Sequence, residues 1–339
     1  MSYRGMSSVI AIEKQQETLR SKVLSMYVIF VSAVLFSLFT VFIQVTNLSL
    51  AYLQSDQLDR HRAIIEGVAR SPYQYRVLSE YLVESIIRTC ASLGNHSVLI
   101  GFISFRLLQN LAIFLLLSTL CKRLDIDQYI TLLGMSILAW AMTHSLYDSD
   151  LAFNTYTDVI CYLTAALVIL SHRYTWLIAT TALAALNRET SGLIPLLLLC
   201  YIWFTPEGKN SRRVGTLIAV IAWVVYAVCF FGLRMFFGTR ELALGYGHRP
   251  GLDYFVYNIT RPITYVQLFG TLGLLPLMSI ISFSRWPSSL RAFFWAVAPI
   301  WMVVHPFVGI IAETRYFLVP LTLVFIPGTL LGISSCRKV

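Results

Sequence analysis

The chain alternates between long apolar runs and short polar segments, and the runs are long enough to cross a membrane. Val23–Gln44, Val98–Leu120 and Val214–Leu233 hold almost no charged residue. Each is close to the ~20 residues that a helix needs to span the hydrocarbon core. None shows the alternation of apolar and polar positions that marks a membrane barrel. We therefore predict an all-α, polytopic bundle of transmembrane helices.

We place about ten spans in one transmembrane domain, residues 1–339. The predicted spans are 23–45, 98–120, 130–146, 156–171, 175–187, 191–205, 214–234, 263–283, 293–312 and 316–334. The fifth and sixth are short enough to be re-entrant segments instead. All lysines of the chain fall on the side of the N-terminus, which predicts that both termini are cytoplasmic.

Composition supports a membrane protein and excludes a soluble globule. The chain is 57% hydrophobic and only 13% charged, with a mean hydropathy of +0.70. A soluble domain carries roughly 25% charged residues. The net charge of +9 is explained by basic cytoplasmic loops, so we expect no nucleic-acid partner. The cysteines form no CxxC pair, which argues against a metal or redox motif.

The predicted outer side carries no lysine but many arginines and carboxylates. Arginine binds phosphate in a bidentate fashion that lysine cannot match, so we expect any chemistry on this side. The alternative is that these arginines only pair with nearby acids. The first long outer loop, 46–97, predicts two amphipathic helices, Asp56–Val68 and Tyr75–Thr89, lying in the membrane interface. The second, 235–262, has the glycine-rich composition of a mobile loop.

Two features of the first outer loop are candidates for chemistry. Asp56 and Asp59 follow the first span, where a carboxylate can act as a general base; capping the loop helix is the alternative. Arg76 lies in the first turn of a predicted helix, where the helix dipole disfavours a cation. We expect it to have a partner elsewhere, with Glu80 as the simpler alternative.

Charged pairs interrupt the apolar sequence at two later turns. Arg188 and Glu189 lie between the fifth and sixth spans, and Glu313 and Arg315 between the ninth and tenth. A charge near membrane depth costs ~2.5–3.5 kcal/mol and usually marks function. The alternative for Arg188 and Glu189 is that they pair with each other or cap the sixth span.

Three further carboxylates flank the fourth span. Asp148 and Asp150 could hold a divalent cation through oxygen ligands, although a solvated turn is the simpler interpretation. Asp158 is more informative, because it begins an apolar span. His144 and His305 are expected to be satisfied polar groups inside the bundle.

In layout the chain resembles the GT-C superfamily of integral-membrane glycosyltransferases. Four short motifs carry the resemblance: Ser55–Asp59 after the first span, Pro72–Leu78 in the first outer loop, Asn187–Thr190 between middle spans and Glu313–Tyr316 before a late span. The sequence departs from the family in lacking an adjacent Asp-Glu pair after the first span and a large C-terminal outer domain.

The resemblance implies a polyprenyl-phosphate-linked sugar donor, with its prenyl chain in an apolar groove between spans. Asp56, or else Asp59, would be the general base or help to hold a metal. Arg188 and Arg315, then Arg76, would bind the donor phosphate. The supporting residues would be Glu189, Glu313, Asp158 and Tyr75. The acceptor, whether lipid, glycan or protein, is left open.

Other functions fit parts of this pattern. A transporter or flippase of a lipid-linked saccharide would also need outer arginines, but it predicts functional charges on both faces. A surface-glycan polymerase or ligase would share the donor class. A structural subunit would not need charges at the turns after Leu186 and Ile311.

Overall fold

The computed structural model describes residues 3–147 and 150–336, which form helices and connecting turns. The α-helices are α1 (Tyr3–Leu48), α2 (Leu50–Gln54), α3 (Asp56–Ile65), α4 (Val77–Thr89), α5 (Ser97–Arg123), α6 (Gln128–His144), α7 (Phe153–Leu170), α8 (Trp176–Ala185), α9 (Ile194–Phe204), α10 (Arg212–Phe237), α11 (Leu252–Thr260), α12 (Pro262–Leu272), α13 (Leu275–Ile281), α14 (Ser288–Val308), α15 (Leu318–Pro320) and α16 (Ile326–Cys336). The 3-10 turns are Tyr73–Tyr75, Ala91–His96, Glu189–Leu193, Lys209–Ser211, Phe283–Arg285 and Thr314–Phe317, and Leu321–Phe325 is a π-helix. The all-α prediction is confirmed for the described residues.

Six helices in this part of the chain are long and apolar enough to cross a membrane. They are Val23–Leu48, Ser97–Arg123, Phe153–Leu170, Lys209–Phe237, Ser288–Val308 and Thr314–Ser335. The bent pair α12 and α13 would make a seventh, and two other apolar helices are shorter. These helices are those of a membrane-embedded protein, but they do not confirm the count of about ten spans.

The predicted span 263–283 is broken rather than continuous. Gly273 adopts a φ of 52°, in the left-handed region that glycine tolerates best, and it ends α12. Helices α12 and α13 meet at an angle of 59°. The apolar run gave no sign of the break, because a left-handed glycine interrupts a helix without changing its hydropathy.

The bundle buries one face of its outer helices and leaves the other apolar and exposed. Phe42 on α1 and Val228 on α10 are each 67% exposed, and Phe231 is 61% exposed. An outward apolar surface of this kind suits contact with lipid. At the centre, the largest core cluster packs Phe114, Tyr162 and other buried side chains of α5–α9, α14 and the α15–α16 segment.

The first outer loop forms the two expected helices, α3 and α4, but the carboxylates of α4 are not all exposed to water. Glu80 is buried, and its Oε2 lies 2.7 Å from Nδ1 of His61, while Nε2 of His61 lies 3.0 Å from Glu84. Burial disfavours a charged imidazole, but the hydrogen bonds to both carboxylates outweigh it and raise the pKa of His61. This interaction joins α3 to α4.

The second outer loop, 235–262, is attached to the rest of the protein. The backbone N–H of Ser71 donates to Glu241, and that of Ala243 donates to Ser71. The N–H of Gly251 donates to the carbonyl of Phe307 at 2.6 Å, and α11 follows directly. These bonds hold residues 242–245 against the site described next.

Candidate functional site

A cavity of about 540 Å³ lies where the first outer loop, the 3-10 turn before α9, α14 and the segment before α15 meet. One part of its lining is ionic, and this part contains Arg76, Arg188, Glu189 and Glu313. The rest is largely apolar. The aliphatic lining residues are Leu193, Leu242, Ala243, Leu244, Ile300, Val304, Val308 and Ile310.

Arg76 immediately precedes α4, and it lines this cavity. Its partner is distant in sequence. Its Nε and Nη2 donate to Oε2 of Glu189 at 3.1 and 3.0 Å. The expectation of a partner elsewhere is therefore confirmed. The Glu80 alternative is wrong, because Glu80 binds His61 on the buried face of α4.

Arg188 is buried but only weakly paired. Its Nη1 lies 3.7 Å from Oδ2 of Asp158 and 3.4 Å from the hydroxyl of Thr155. Among the described residues, its buried Nε has no hydrogen-bond partner. Asp158 is fully buried and accepts a hydrogen bond from Thr190 at 2.8 Å. Arg188 thus keeps a buried Nε–H without a protein partner, and within the described part of the chain it forms no salt bridge with Glu189.

Arg315 is bound through both of its terminal nitrogens in a buried ionic cluster beside the cavity. Its Nη1 donates to Asp150 at 3.0 Å, and its Nη2 donates to Glu313 at 2.5 Å. Arg60 donates to the other oxygen of Asp150. Burial alone would raise the pKa of Asp150, but the charges of Arg60 and Arg315 lower it to about 2. The solvated-turn interpretation is wrong for Asp150, and Asp148 lies outside the described residues.

The structure does not bring Asp56 and Asp59 to this cavity. Both are exposed on α3, and Asp56 accepts a hydrogen bond from the neighbouring Ser55 at 2.9 Å. The reason is helical geometry: Gln57 and His61, one turn apart, form the buried face of α3. Asp59, which lies about 160° from His61 around the helix, is therefore turned outward.

Tyr75, predicted as a supporting residue, does not line the cavity. Its hydroxyl donates to the carbonyl of Gly238 at 2.9 Å, and the Arg234 guanidinium lies 4.5 Å from its ring centroid. Tyr75 thereby fixes the start of the second outer loop rather than lining the site.

Two aromatic residues that line the cavity, Tyr73 and His305, were not predicted as site residues from the sequence. The Tyr73 ring has the guanidinium groups of Arg60 and Arg76 at 5.3 and 5.7 Å from its centroid. His305 stacks on Trp301 and contacts its carbonyl through Nδ1 at 3.0 Å, as expected of a satisfied histidine in the bundle. It also lines the cavity. The sequence feature that could have identified Tyr73 as a site residue is its place within the Pro72–Leu78 motif.

Within residues 3–147 and 150–336, no group of three or more His, Cys, Asp and Glu side chains is arranged to hold a metal ion. The described residues therefore offer no such set of ligands for the divalent cation that the sequence analysis considered. Comparisons of the chain with protein-family profiles, curated proteins and solved structures find no match.

Proposed function

We propose that this chain is a membrane glycosyltransferase that moves a sugar from a polyprenyl-phosphate-linked donor to an acceptor on the extracytoplasmic side. The observation that carries the proposal is the two-part lining of the 540 Å³ cavity, with the arginines Arg76 and Arg188 in one part and mostly aliphatic side chains over the rest. A ligand that complements it has an anionic group joined to a long apolar chain.

The phosphate is best placed at Arg188. Arg76 already makes two hydrogen bonds to Glu189, and Arg315 is bound to Asp150 and Glu313. Arg188 has an unpartnered buried Nε and only long contacts through Nη1. A charge-assisted, bidentate bond to phosphate would satisfy these donors in a site shielded from water.

This placement suits the chemistry of sugar transfer. When the bond between the anomeric carbon and the phosphate oxygen breaks, negative charge develops on the phosphate. Donors already held at that position stabilise such charge without reorganising, which is often the largest contribution to catalysis. Tyr316 and Trp301, which also line the cavity, offer aromatic surface beside the cationic part.

The proposal includes finer membrane assignments. These are about ten spans in one domain, both termini in the cytoplasm, and a multi-pass location in a plasma or inner membrane with the site on the outer face. The basic residues of the Lys209–Arg213 segment, on the side predicted to be cytoplasmic, support this orientation.

Replacing Arg188 with lysine tests the proposal. The purified full-length protein in lipid nanodiscs is mixed with a radiolabelled polyprenyl-phosphate sugar, and donor binding and sugar release or transfer are measured. Losing a charge-assisted hydrogen bond costs about 1.5–3 kcal/mol, so Arg188→Lys should weaken donor binding by roughly 10- to 100-fold. Arg62→Lys, on the exposed surface of α3, is the matched control.

Equal donor affinity in wild type and Arg188→Lys would remove Arg188 from the site. Tight donor binding to the wild type with neither release nor transfer of sugar would instead favour a transporter or flippase of the lipid-linked saccharide.

A further inference from the structure

A second cavity, of about 450 Å³, lies directly beside the first. Tyr73 and Glu313 line both cavities, so they form the wall between them. The other residues lining the second cavity are Asn47, Leu48, Tyr52, Arg60, Leu146 and Arg315. The two cavities therefore offer adjacent places for two ligands.

The second cavity differs from the first in polarity. Leu48 and Leu146 are its only aliphatic lining residues among those described, so it has no wall long enough for a lipid chain. Its charges also balance within the cluster, because Arg60 and Arg315 are paired with Asp150 and Glu313. A neutral ligand rich in hydroxyl groups suits this lining better than an anion or a lipid.

The shared wall presents a carboxylate oxygen that can take a proton. Oε2 of Glu313 accepts the hydrogen bond from Arg315 at 2.5 Å. No hydrogen bond to its Oε1 is found within the part of the chain that the structure describes, and the side chain is 15% exposed. Asp56 and Asp59 line neither cavity.

We propose that the second cavity binds a neutral saccharide as the acceptor and that Glu313, in the shared wall, is the base that receives the proton of its hydroxyl group. The inference rests on the proposed function and deepens it. The acceptor oxygen forms a bond to the anomeric carbon of the donor, and the bond from that carbon to the phosphate oxygen breaks. The electron pair stays on the phosphate, and the hydroxyl proton passes to Oε1 of Glu313.

The test uses Glu313→Gln, which keeps the shape of the side chain and an oxygen for Arg315. Donor binding is measured with the radiolabelled polyprenyl-phosphate sugar, and transfer is measured to a mixture of neutral oligosaccharides. Removing a positioned base typically slows a reaction by about 10²–10⁴-fold. Transfer should fall at least 100-fold, with donor Kd within about threefold of wild type. Glu66→Gln, an exposed carboxylate of the first outer loop that lines neither cavity, should transfer normally.

A second variant protects the test against a folding defect in Glu313→Gln. Tyr52→Phe removes one hydroxyl from the lining of the second cavity and leaves the first untouched. It should raise the KM for the saccharide several-fold and leave the donor Kd unchanged. An unchanged acceptor KM, with the protein monodisperse, would count against the second cavity as the acceptor site.

The outcomes separate this inference from the proposed function. Transfer by wild type to a lipid but not to a saccharide, or normal transfer by Glu313→Gln while Asp56→Asn is inactive, would overturn the inference alone. Wild type that neither binds nor consumes any polyprenyl-phosphate sugar would overturn both.

Discussion

Asp150 is the centre of the ionic cluster beside the cavity, and replacing it with asparagine should destabilise the protein. Its two oxygens contact Arg60 and Arg315, and its side chain is only 7% exposed. Asparagine has nearly the same shape but no charge. Among the described residues, Arg60 would then lose its carboxylate partner and Arg315 would keep only Glu313, while most packing contacts would remain.

The loss of stability expected for Asp150→Asn can be derived from the structure in two ways. Removing one partner of a buried ion pair typically costs about 3–5 kcal/mol. Independently, a pKa of about 2 for Asp150, below the usual 3.8, corresponds to about 2 kcal/mol of stabilisation at neutral pH. We therefore expect Asp150→Asn to lower the free energy of unfolding by about 2–4 kcal/mol.

Thermal unfolding in detergent, followed from pH 7 downward, measures this effect. A carboxylate with a lowered pKa stabilises fully above its unfolded pKa, near 4, and the contribution is lost as pH falls toward 2. The Tm difference between wild type and Asp150→Asn should thus be several degrees at pH 7 and shrink below about pH 4. Asp56→Asn, the same change at an exposed site, is the control. Equal Tm values for wild type and Asp150→Asn at pH 7 would refute the reasoning.

Two other changes test the packing of the loops. His61→Gln should lower Tm most at or below about pH 6.5, because the pKa of His61 is raised; its contribution should fall as pH rises through the folded-state pKa, and a difference that grows with pH would contradict this. Gly208→Ala would place a Cβ 2.4 Å from the backbone Cα of Ile202, and should cost about 1–3 kcal/mol or more. Gly232→Ala, inside α10 with nothing within 4 Å, should not lower Tm, because alanine is the better helix former. Equal Tm values for both variants would show that the turn at Gly208 can move to accept the Cβ.

The helical fold class could be predicted from the sequence, and so could the charged residues that interrupt the apolar runs. Arg188, Glu189 and Glu313 were found because a charge in an apolar context is costly and therefore conspicuous. Arg76 was found because the helix dipole makes a cation unexpected at that position. Each of these signals is local, so one segment of sequence is enough to detect it.

The pairing of these residues could not be predicted, because it depends on which distant segments meet. Glu189 binds Arg76 at a separation of 113 residues, and Asp150 binds Arg315 at a separation of 165. The same limit explains why Asp56 and Asp59 were predicted as the general base although neither lines the cavity. Their place after the first span was visible, but the buried face of α3 is set by Gln57 and His61, whose partners lie in other elements.

The most direct test of the proposed function compares two donors with the wild-type protein in nanodiscs. One is a polyprenyl-phosphate sugar, and the other is the same sugar phosphate without the prenyl chain. Burial of apolar surface contributes about 25 cal/mol per Å², so the prenyl donor should bind at least 100-fold more tightly, and only it should be consumed. Equal affinity for the two donors, or no consumption of either, would contradict a lipid-donor glycosyltransferase.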